Sequence, residues 1–301
     1  MIYDLVIIGA GPAGITAAVY SARKGLNFLV VTKDIGGQAA WSGDIENYTG
    51  YQFITGPDLA AKFEEHMRRY DFTMKENEEA IEVKKAGSII KVKTDKGEYE
   101  SRTVIMASGK MSRELGVPGE KEFKNRGLTY CATCDGPIFK GKDVAIIGGG
   151  NSALDAALQM IKIAKHIYII NNTPRLGGDA VMRDKVEKAS LVTIMNNSDL
   201  AAVLGEKSVN AIKIKREGKE ETIPVQGVFV EIGLISNSKF AKEIDKNKYG
   251  EIIVSDKNET SVPGIFAAGD VTNVPEKQIV IAAGEGSKAA LSVFKFLNQN
   301  K

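Results

Sequence analysis

Short apolar runs that end at glycine-rich turns divide the chain into strand–turn–helix units. The first run, Leu5–Ile8, is apolar at every position, as in a strand buried on both faces of a parallel sheet. Gly9, Gly11 and Gly14 follow in the spacing G-x-G-x-x-G. A helix rich in small residues is predicted over residues 13–24, and the next apolar run supplies a second strand. This segment therefore predicts one complete βαβ unit.

The same pattern recurs in the middle of the chain. A strand is predicted at Val144–Ile147. Gly148, Gly150 and Ala153 follow it as G-x-G-x-x-A. A helix and a further strand, Ile167–Ile170, complete the unit. Two units of the dinucleotide-binding type indicate two nucleotide-binding modules.

After each unit the pattern changes to alternating polar and apolar positions. Residues 81–109 alternate, turn at a Lys-Gly pair as antiparallel strands do, and end in a buried strand, Val104–Ala107. Residues 210–233 show a similar run. The last part of the chain predicts an apolar strand, a Gly-Asp turn and an apolar helix.

Composition narrows the class of protein. The chain has 301 residues, of which 43% are hydrophobic and 26% charged, as in an ordinary soluble globular protein. A net charge of +2 gives no reason to expect nucleic-acid binding. No apolar run approaches the roughly 18 residues of a membrane span, and the N-terminus lacks the features of a signal peptide. With only two cysteines, we expect a cytoplasmic protein without a disulfide framework.

The first glycine motif predicts a pyrophosphate site, because its glycines let backbone N–H groups approach phosphate at a helix N-terminus. The alternative is a plain tight turn. An acid for the ribose is missing from the second strand, where Thr32 and Lys33 stand. FAD tolerates this difference better than NAD because it has other anchors. Gln38 and Asn47 are candidates, and so is Asp270, unless it only caps a helix.

Cys131 and Cys134 form a C-x-x-C motif that is followed at once by Asp135. In such a pair one thiolate can attack an external disulfide while the other resolves the mixed disulfide. A half zinc site and inert core cysteines are the alternatives. Zinc needs four ligands, and His66 and His166 lie far away in sequence without ligand spacing, so no metal is predicted. Asp135 is either a proton donor or acceptor beside the pair, or merely a helix-start residue.

The combination of two glycine fingerprints, C-A-T-C-D and a closing G-I-F-A-A-G-D resembles the low-molecular-weight thioredoxin reductases. It equally resembles the reductase part of the flavoprotein subunit of alkyl hydroperoxide reductase. The resemblance covers essentially the whole chain. A stand-alone reductase is expected, because the thioredoxin-like domains that precede the reductase part of that subunit do not occur in this sequence.

The resemblance implies an α/β fold with two doubly wound, Rossmann-like domains. Residues 1–112 and 243–301 would form a discontinuous FAD domain, and residues 113–242 the nicotinamide-type domain that carries the cysteines. The family is homodimeric, and one domain rotates against the other so that the cysteines face first the flavin and then a thioredoxin-like substrate.

The resemblance also implies roles for single residues. Cys134 would receive electrons from the flavin, Cys131 would attack the substrate disulfide, and Asp135 would handle protons. The FAD contacts would be Gly9, Gly11, Pro12, Ala13, Gly14, Thr32, Lys33, Gly37, Gln38, Asn47, Ala80, Ala107, Ser108, Gly109, Gly269, Asp270, Gln278 and Ile279.

The second fingerprint departs from the family pattern. NADPH enzymes of the family carry a basic cluster there for the 2′-phosphate, and NADH enzymes carry an acid for the ribose. This chain has Asn171 and Asn172 at those positions, with only Arg175 and Arg183 nearby. NAD(P)H is therefore a doubtful cofactor, although relaxed or NADH-leaning specificity remains an alternative.

The favoured hypothesis is a thioredoxin reductase that takes electrons from reduced ferredoxin. Lys110 and Arg113 could contribute to a docking surface for it. The alternatives are an NAD(P)H-dependent thioredoxin reductase, a reductase that serves a peroxidase system, and an FAD-binding redox sensor without turnover.

Overall fold

The computed structural model describes residues 1–42, 44–45 and 47–300, without the side chains of Asp44, Thr133 and Cys134. The chain forms two compact units. Unit 1 contains Met1–Met111 and the chain from Ile235 onward, and unit 2 is Ser112–Leu234.

The return to unit 1 at Ile235 comes earlier than the predicted boundary at residue 243. Hydrogen bonds explain the difference. Ser108 Oγ donates to the Asn237 carbonyl oxygen at 2.7 Å, and Asn237 N–H donates to the Gly109 carbonyl oxygen at 3.0 Å. Ala241 is fully buried in a core cluster of unit 1. The segment after Ile235 therefore belongs to unit 1.

Nineteen strands and seven α-helices make up the described part of the chain. The strands are β1 Ile2–Ala10, β2 Phe28–Ile35, β3 Asp44–Ile45, β4 Ile54–Thr55, β5 Thr73–Lys75, β6 Ala80–Ala86, β7 Ile89–Thr94, β8 Glu98–Met106, β9 Lys110–Ser112, β10 Leu128–Thr129, β11 Asp143–Ile147, β12 His166–Ile170, β13 Val192–Met195, β14 Ser198–Gly205, β15 Val209–Arg216, β16 Lys219–Pro224, β17 Gly227–Val230, β18 Leu234–Ser236 and β19 Ile265–Ala267. The helices are α1 Pro12–Arg23, α2 Gly56–Arg68, α3 Glu120–Phe123, α4 Ala132–Asp135, α5 Asn151–Met160, α6 Ala180–Glu187 and α7 Ile279–Gln299. Within the described residues, no helix combines the length and the apolar character needed to cross a membrane.

Unit 1 is built on a sheet with the order β5-β2-β1-β8-β7-β6, and β19 also pairs with β8. β1, β2, β5, β8 and β19 run parallel, while β6 and β7 add an antiparallel edge. Leu5 and Ile7 face the core cluster that α1 and α7 cover, and Val6 and Ile8 belong to a second cluster. The predicted burial of this strand on both faces is confirmed.

Unit 2 holds a parallel sheet with the order β10-β17-β11-β12-β13. Its core cluster on one face includes Ala153 and Leu154 of α5. The cluster on the other face includes Val203 and Ile212 from the antiparallel sheet β14-β15-β16. The predicted α/β class with two Rossmann-like units is therefore confirmed.

Candidate functional site

The first glycine turn connects β1 to α1, and its backbone leaves no room for a side chain at two of its glycines. Gly9 has a φ of +101°, and a Cβ on Gly14 would lie 1.8 Å from the Gly9 carbonyl oxygen. A Cβ on Gly9 itself would meet the Ala107 carbonyl oxygen at 2.5 Å. α1 begins at Pro12, and no side chain of the described residues caps its first amides. The turn therefore presents bare N–H groups at a helix N-terminus, an arrangement that binds pyrophosphate.

Distant segments converge on this turn. A Cβ on Gly37 would lie 3.3 Å from Gly11 Cα, so the two backbones almost touch. A Cβ on Gly269 would lie 2.9 Å from the Cβ of Ala13. The structure thus brings together predicted FAD contacts from three parts of the sequence.

The predicted amide side chains are held by protein partners. Asn47 Nδ2 donates to Gln278 Oε1 at 3.0 Å, and Gln38 Nε2 donates to the Lys110 carbonyl oxygen at 2.8 Å. Ile279, which directly follows Gln278, begins α7. Asn47 and Gln278 therefore lie together at the start of α7. The Gln38 side chain lies at the end of the first segment of unit 1.

Thr32, Lys33 and Ala80 form a second group at the end of β2. The N–H of Glu78 donates to the Thr32 carbonyl oxygen at 3.0 Å, and Lys33 pairs with Glu79 at 3.3 Å. Ala80 follows directly as the buried first residue of β6. These predicted contacts lie together, although the Lys33 side chain is exposed and engaged with Glu79.

A buried charge cluster surrounds Asp270, and no sequence motif indicated it. Lys110 Nζ lies 2.5 Å from Glu251 Oε1, and Lys277 Nζ lies 3.3 Å from the same oxygen. Lys277 also donates to the Thr272 carbonyl oxygen at 2.6 Å. The Lys110 side chain is only 11% exposed and is paired with Glu251, so the structure gives no support to its predicted part in a ferredoxin-docking surface.

Burial dominates the electrostatics of this cluster. It raises the pKa of Asp270 above its ordinary value, although Lys277 and Lys110 oppose the shift. Burial, followed by the charge of Lys110, lowers the pKa of Lys277. Burial also opposes ionisation of Glu251, but hydrogen bonds from Lys110 and Asn247 outweigh it and leave the pKa of Glu251 lowered.

In unit 2, residues 129–135 form the turn that carries the cysteines, here called the redox turn. One hydroxyl group, that of Thr129, organises it. The Cys131 N–H donates to Thr129 Oγ1 at 3.1 Å, and Thr129 Oγ1 donates to the Asp135 carboxylate. Asp135 N–H donates to the Cys131 carbonyl oxygen at 3.2 Å. Cys131 is disulfide-bonded. The chain's other cysteine, Cys134, has its backbone in α4, but its side chain lies outside the described residues.

A second carboxyl group contacts the same turn. The Glu231 side chain accepts a hydrogen bond from the Ala132 N–H, between the two cysteines. Burial raises the pKa of Glu231 to about 8, the hydrogen bond from Ala132 opposes this shift, and the charge of Asp155 adds to it. Sequence reasoning missed Glu231, because only the fold brings the end of β17 to α4.

The second glycine turn borders a cavity of about 740 Å³ in unit 2. Gly148 has a φ of +134°, and a Cβ there would lie 2.2 Å from the Glu231 carbonyl oxygen. Asn172 and Asp199 line the cavity, and so does Glu231. The cavity lies where the nucleotide of a dinucleotide-binding module binds.

Two of the residues considered for a phosphate contact, Asn171 and Arg183, are engaged by other parts of the protein. Asn171 is buried, donating to the Thr173 carbonyl oxygen at 3.1 Å and to Asn196 Oδ1 at 2.8 Å. Arg183 pairs with Glu187 at 3.9 Å. An acid that the sequence pattern did not reveal, Asp199, stands at the cavity instead, on β14.

A metal site finds no support in the described residues. They contain no group of three or more His, Cys, Asp or Glu side chains that could hold an ion. His66 lies in α2 of unit 1 and His166 in β12 of unit 2, where its Nε2 lies 2.9 Å from Thr193 Oγ1.

Comparison with known proteins agrees with this geometry. The family model for pyridine nucleotide-disulphide oxidoreductases matches residues 3–286. The chain belongs to this family. Thioredoxin reductase from Streptococcus pyogenes has a TM-score of 0.81 at 34% identity, with 99% of both chains covered.

Two longer proteins are also similar. NADH dehydrogenase of Bacillus subtilis is 41% identical over 302 residues, covering 99% of this chain and 59% of that protein. A subunit of alkyl hydroperoxide reductase from Pseudomonas aeruginosa is 42% identical over 303 residues, covering 98% of this chain and 58% of that protein. The chain therefore spans less than two thirds of the length of these oxidoreductases.

Membership of this oxidoreductase family settles part of the sequence-based prediction. It confirms the predicted fold, the resemblance to thioredoxin reductases and to the hydroperoxide reductase subunit, and FAD as cofactor. The predicted ferredoxin donor gains no support from these relatives, whose names mention NADH, thioredoxin and alkyl hydroperoxide.

Proposed function

We propose that the chain is a flavin-dependent disulfide reductase that passes electrons through Cys131 and Cys134 to a thioredoxin-like protein. The observation that carries this proposal is the disulfide-bonded Cys131, whose amide is joined through Thr129 to Asp135. Dithiol–disulfide exchange requires a pair of thiols and a group that transfers a proton. Here the pair lies in a flavoprotein fold, and a carboxylate is joined to it through a single hydroxyl group.

The residues of unit 1 fit FAD. The glycine turn offers N–H groups for the pyrophosphate, and its Cβ-free surface lets a phosphate approach the backbone. Asp270, whose pKa burial raises, would accept hydrogen bonds from the ribityl chain. Thr32, Lys33 and Ala80 would hold the adenosine end, since they lie together at the end of β2. When bound, FAD supplies a two-electron carrier between the donor and the disulfide.

The protein residues divide the exchange chemistry. Reduction of the disulfide takes two electrons and, for a thiol and a thiolate, one proton. The Cys131 thiolate then attacks one sulfur of the substrate disulfide, forming a new S–S bond and releasing the other sulfur as a thiolate. Cys134 attacks the mixed disulfide, restores the pair and releases the substrate dithiol. Asp135 would donate or accept the proton, with Thr129 fixing its carboxylate.

NADH is the electron donor that the unit 2 cavity supports best. Asp199 lines the cavity and can accept hydrogen bonds from ribose hydroxyls, as an acid does in NAD sites. Of the two arginines that follow Asn171 and Asn172, Arg183 pairs with Glu187. The name of the B. subtilis relative, NADH dehydrogenase, agrees with this donor.

An anaerobic titration that follows flavin absorbance tests the proposal. We expect bleaching by NADH at concentrations at least about tenfold lower than by NADPH, since a specific ribose contact is worth roughly 1.4 kcal/mol. Bleaching by reduced ferredoxin alone would overturn the NADH proposal and restore the sequence-based ferredoxin prediction.

An Asp199→Ala variant links the donor to the cavity. Its affinity for NADH should fall about tenfold while that for NADPH changes little, as measured by quenching of protein fluorescence. Glu206→Ala is the matched control, because Glu206 is an exposed acid in the β14–β15 turn and does not line the cavity. An equal loss of affinity for NADH and NADPH would contradict the role of Asp199.

A Cys134→Ser variant separates the reductase from a redox sensor. We expect FAD to stay bound while reduction of a protein disulfide falls to background, because the resolving thiol is gone. A peroxidase-linked thioredoxin-like protein is the alternative substrate, given the hydroperoxide reductase relative. Comparing it with thioredoxin as substrate decides between them. Homodimerisation and a cytoplasmic location stay predictions.

A further inference from the structure

Glu231 occupies a position that two backbone contacts fix. Its N–H donates to the Ile147 carbonyl oxygen at 2.8 Å. Its own carbonyl oxygen lies against Gly148, where a Cβ would approach to 2.2 Å. The residue directly follows β17, and the adjoining β11–β17 pairing is parallel and regular. The side chain therefore starts from a rigid point and lines the nucleotide-type cavity.

The Glu231 carboxyl group reaches from this cavity to the redox turn. It accepts a hydrogen bond from the Ala132 N–H. Ala132 is 5% exposed and follows Cys131 directly. Standard covalent geometry then places a carboxyl oxygen within about 8 Å of the Cys131 sulfur. At that distance, in a partly buried site, a negative charge changes the ionisation of a thiol.

We propose that Glu231 is a proton-linked positioning residue of the dithiol pair: it holds the Ala132 amide between the cysteines, and loss of its proton opposes thiolate formation at Cys131. This inference rests on the proposed function of the Cys131–Cys134 pair. Glu231 need not touch either sulfur, because it acts through the backbone and through its charge.

Charged groups of both signs lie around Glu231, and the one that adds to its raised pKa is acidic. Asp155 on α5 disfavours a second negative charge beside it. On β14, Asp199 lines the same cavity, and Arg113 is a basic residue of this lining. Asp135 belongs to the redox turn itself, where Thr129 engages its carboxylate.

This arrangement has a consequence for reduction of the pair. Burial raises the pKa of Glu231 to about 8, so its carboxyl group is mostly neutral at pH 7. The thiolate that remains after two electrons and one proton are taken up then forms beside a neutral group. Above about pH 8 the same thiolate would form beside a carboxylate, and the two ionisations become coupled.

The test is the pH dependence of Cys131 alkylation by iodoacetamide in chemically reduced protein, in a Cys134→Ser background. Glu231→Gln keeps an oxygen that accepts the Ala132 N–H but cannot ionise. We expect it to lower the apparent pKa of the Cys131 thiol and to raise the alkylation rate near pH 8 by about threefold or more. The plot of alkylation rate against pH should also become the steeper curve of a single titrating group, because only the Cys131 thiol then ionises in this range.

Two further variants complete the experiment. Glu206→Gln removes an exposed acid distant in sequence from the turn and should leave the profile unchanged. Glu231→Ala removes both the charge and the acceptor. It should also raise alkylation near pH 8, with an added loss of thermal stability that Glu231→Gln does not show.

An unchanged pH profile in a folded Glu231→Gln variant would overturn the proposal. Alkylation needs neither an electron donor nor a protein substrate, so this outcome is independent of the reductase activity. A protein with the expected profile but no turnover would instead overturn the proposed function.

Discussion

At the residue scale, the hydroxyl group of Thr129 connects the redox pair to its acid. It accepts the Cys131 N–H at 3.1 Å and donates to the Asp135 carboxylate. Nothing in the sequence distinguishes this threonine from any other. The C-x-x-C-D motif left Asp135 as either a proton-handling group or a helix-start residue, and the resemblance to the reductase family implied the first. The partner that orients it is visible only in the folded turn.

Replacing Thr129 by valine should therefore slow disulfide exchange without unfolding unit 2. The β-branched shape is kept, but the Cys131 amide and the Asp135 carboxylate lose their common partner. We expect turnover with a protein disulfide to fall about 10- to 100-fold, equivalent to roughly 1.4–2.8 kcal/mol. Steady-state assays with Thr129→Ser as the control measure this. Activity that remains at the wild-type level would show that Asp135 needs no such orientation.

Glu231 should also leave a signature in the pH dependence of stability. Its carboxyl pKa is about 8 in the folded protein against 4.5 ordinarily, so between these values the folded state binds a proton that the unfolded state has released. Stability therefore falls as pH rises from about 5 to 8, by up to roughly 1.4 kcal/mol per pH unit.

Denaturant unfolding of the wild type and of Glu231→Gln, at pH 5, 6.5 and 8, measures this. The difference in the free energy of unfolding between the two proteins should shift in favour of the variant as pH rises. A constant difference would mean that Glu231 titrates in its ordinary range.

The residue scale is also where sequence-based prediction reached its limit. Glycines 9, 11 and 14 were predicted because their spacing reflects a local turn. Lys110, Glu251 and Lys277 were not predicted as a cluster, because they come from three separate segments that meet only in the fold. Lys110 was considered only as a possible contributor to a docking surface, since a charged residue usually is solvated.

At the element scale, α7 contains two glycines that differ in the space around them. Gly286 is buried, and a Cβ there would lie 2.0 Å from the Ala13 carbonyl oxygen. Gly284 is exposed on the same helix, with nothing within 4 Å of such a Cβ. The close approach of α7 to α1 thus requires glycine at one position and not at the other.

Alanine at these two positions should have opposite effects. Gly284→Ala should stabilise the protein by up to about 1 kcal/mol, because alanine favours the helix. Gly286→Ala should destabilise it by about 1–3 kcal/mol or more, because α7 must move away from α1. It should also weaken FAD retention, since Ala13 belongs to the glycine turn. Thermal unfolding and the flavin-to-protein absorbance ratio measure both effects, and equal effects of the two variants would contradict the packing.

The elements themselves were largely predictable. The strand predicted at Val144–Ile147 is Asp143–Ile147 in the structure, and the helix predicted over residues 13–24 is Pro12–Arg23. Both patterns are local and periodic. The short α4 and the placement of the antiparallel sheet β14-β15-β16 over one face of unit 2 could not be predicted in this way, because they depend on tertiary packing.

At the scale of the whole molecule, each unit has core clusters of its own. Leu5 and Ile105 lie in a cluster of unit 1, and Val144 and Ile146 lie in a cluster of unit 2. The cofactor contacts proposed for FAD all belong to unit 1. The two units should therefore differ in how strongly FAD stabilises them.

Calorimetry of protein with and without FAD tests this difference. We expect FAD at 100 times its dissociation constant to stabilise the transition of unit 1 by about 2.7 kcal/mol and to leave that of unit 2 nearly unchanged. A single transition that moves as a whole would show instead that the units unfold together.

The discontinuity of unit 1 has a consequence for how the protein is made. A ribosome synthesises the glycine turn and β8 first, then all of unit 2, and only afterwards β19, which pairs with β8, and α7, which ends at Gln299. Until those residues emerge, one side of α1 stays uncovered and Asp270 is missing. Flavin capture should therefore wait until the ribosome has passed α7, and the yellow colour of the protein would report that this point in its synthesis has been reached.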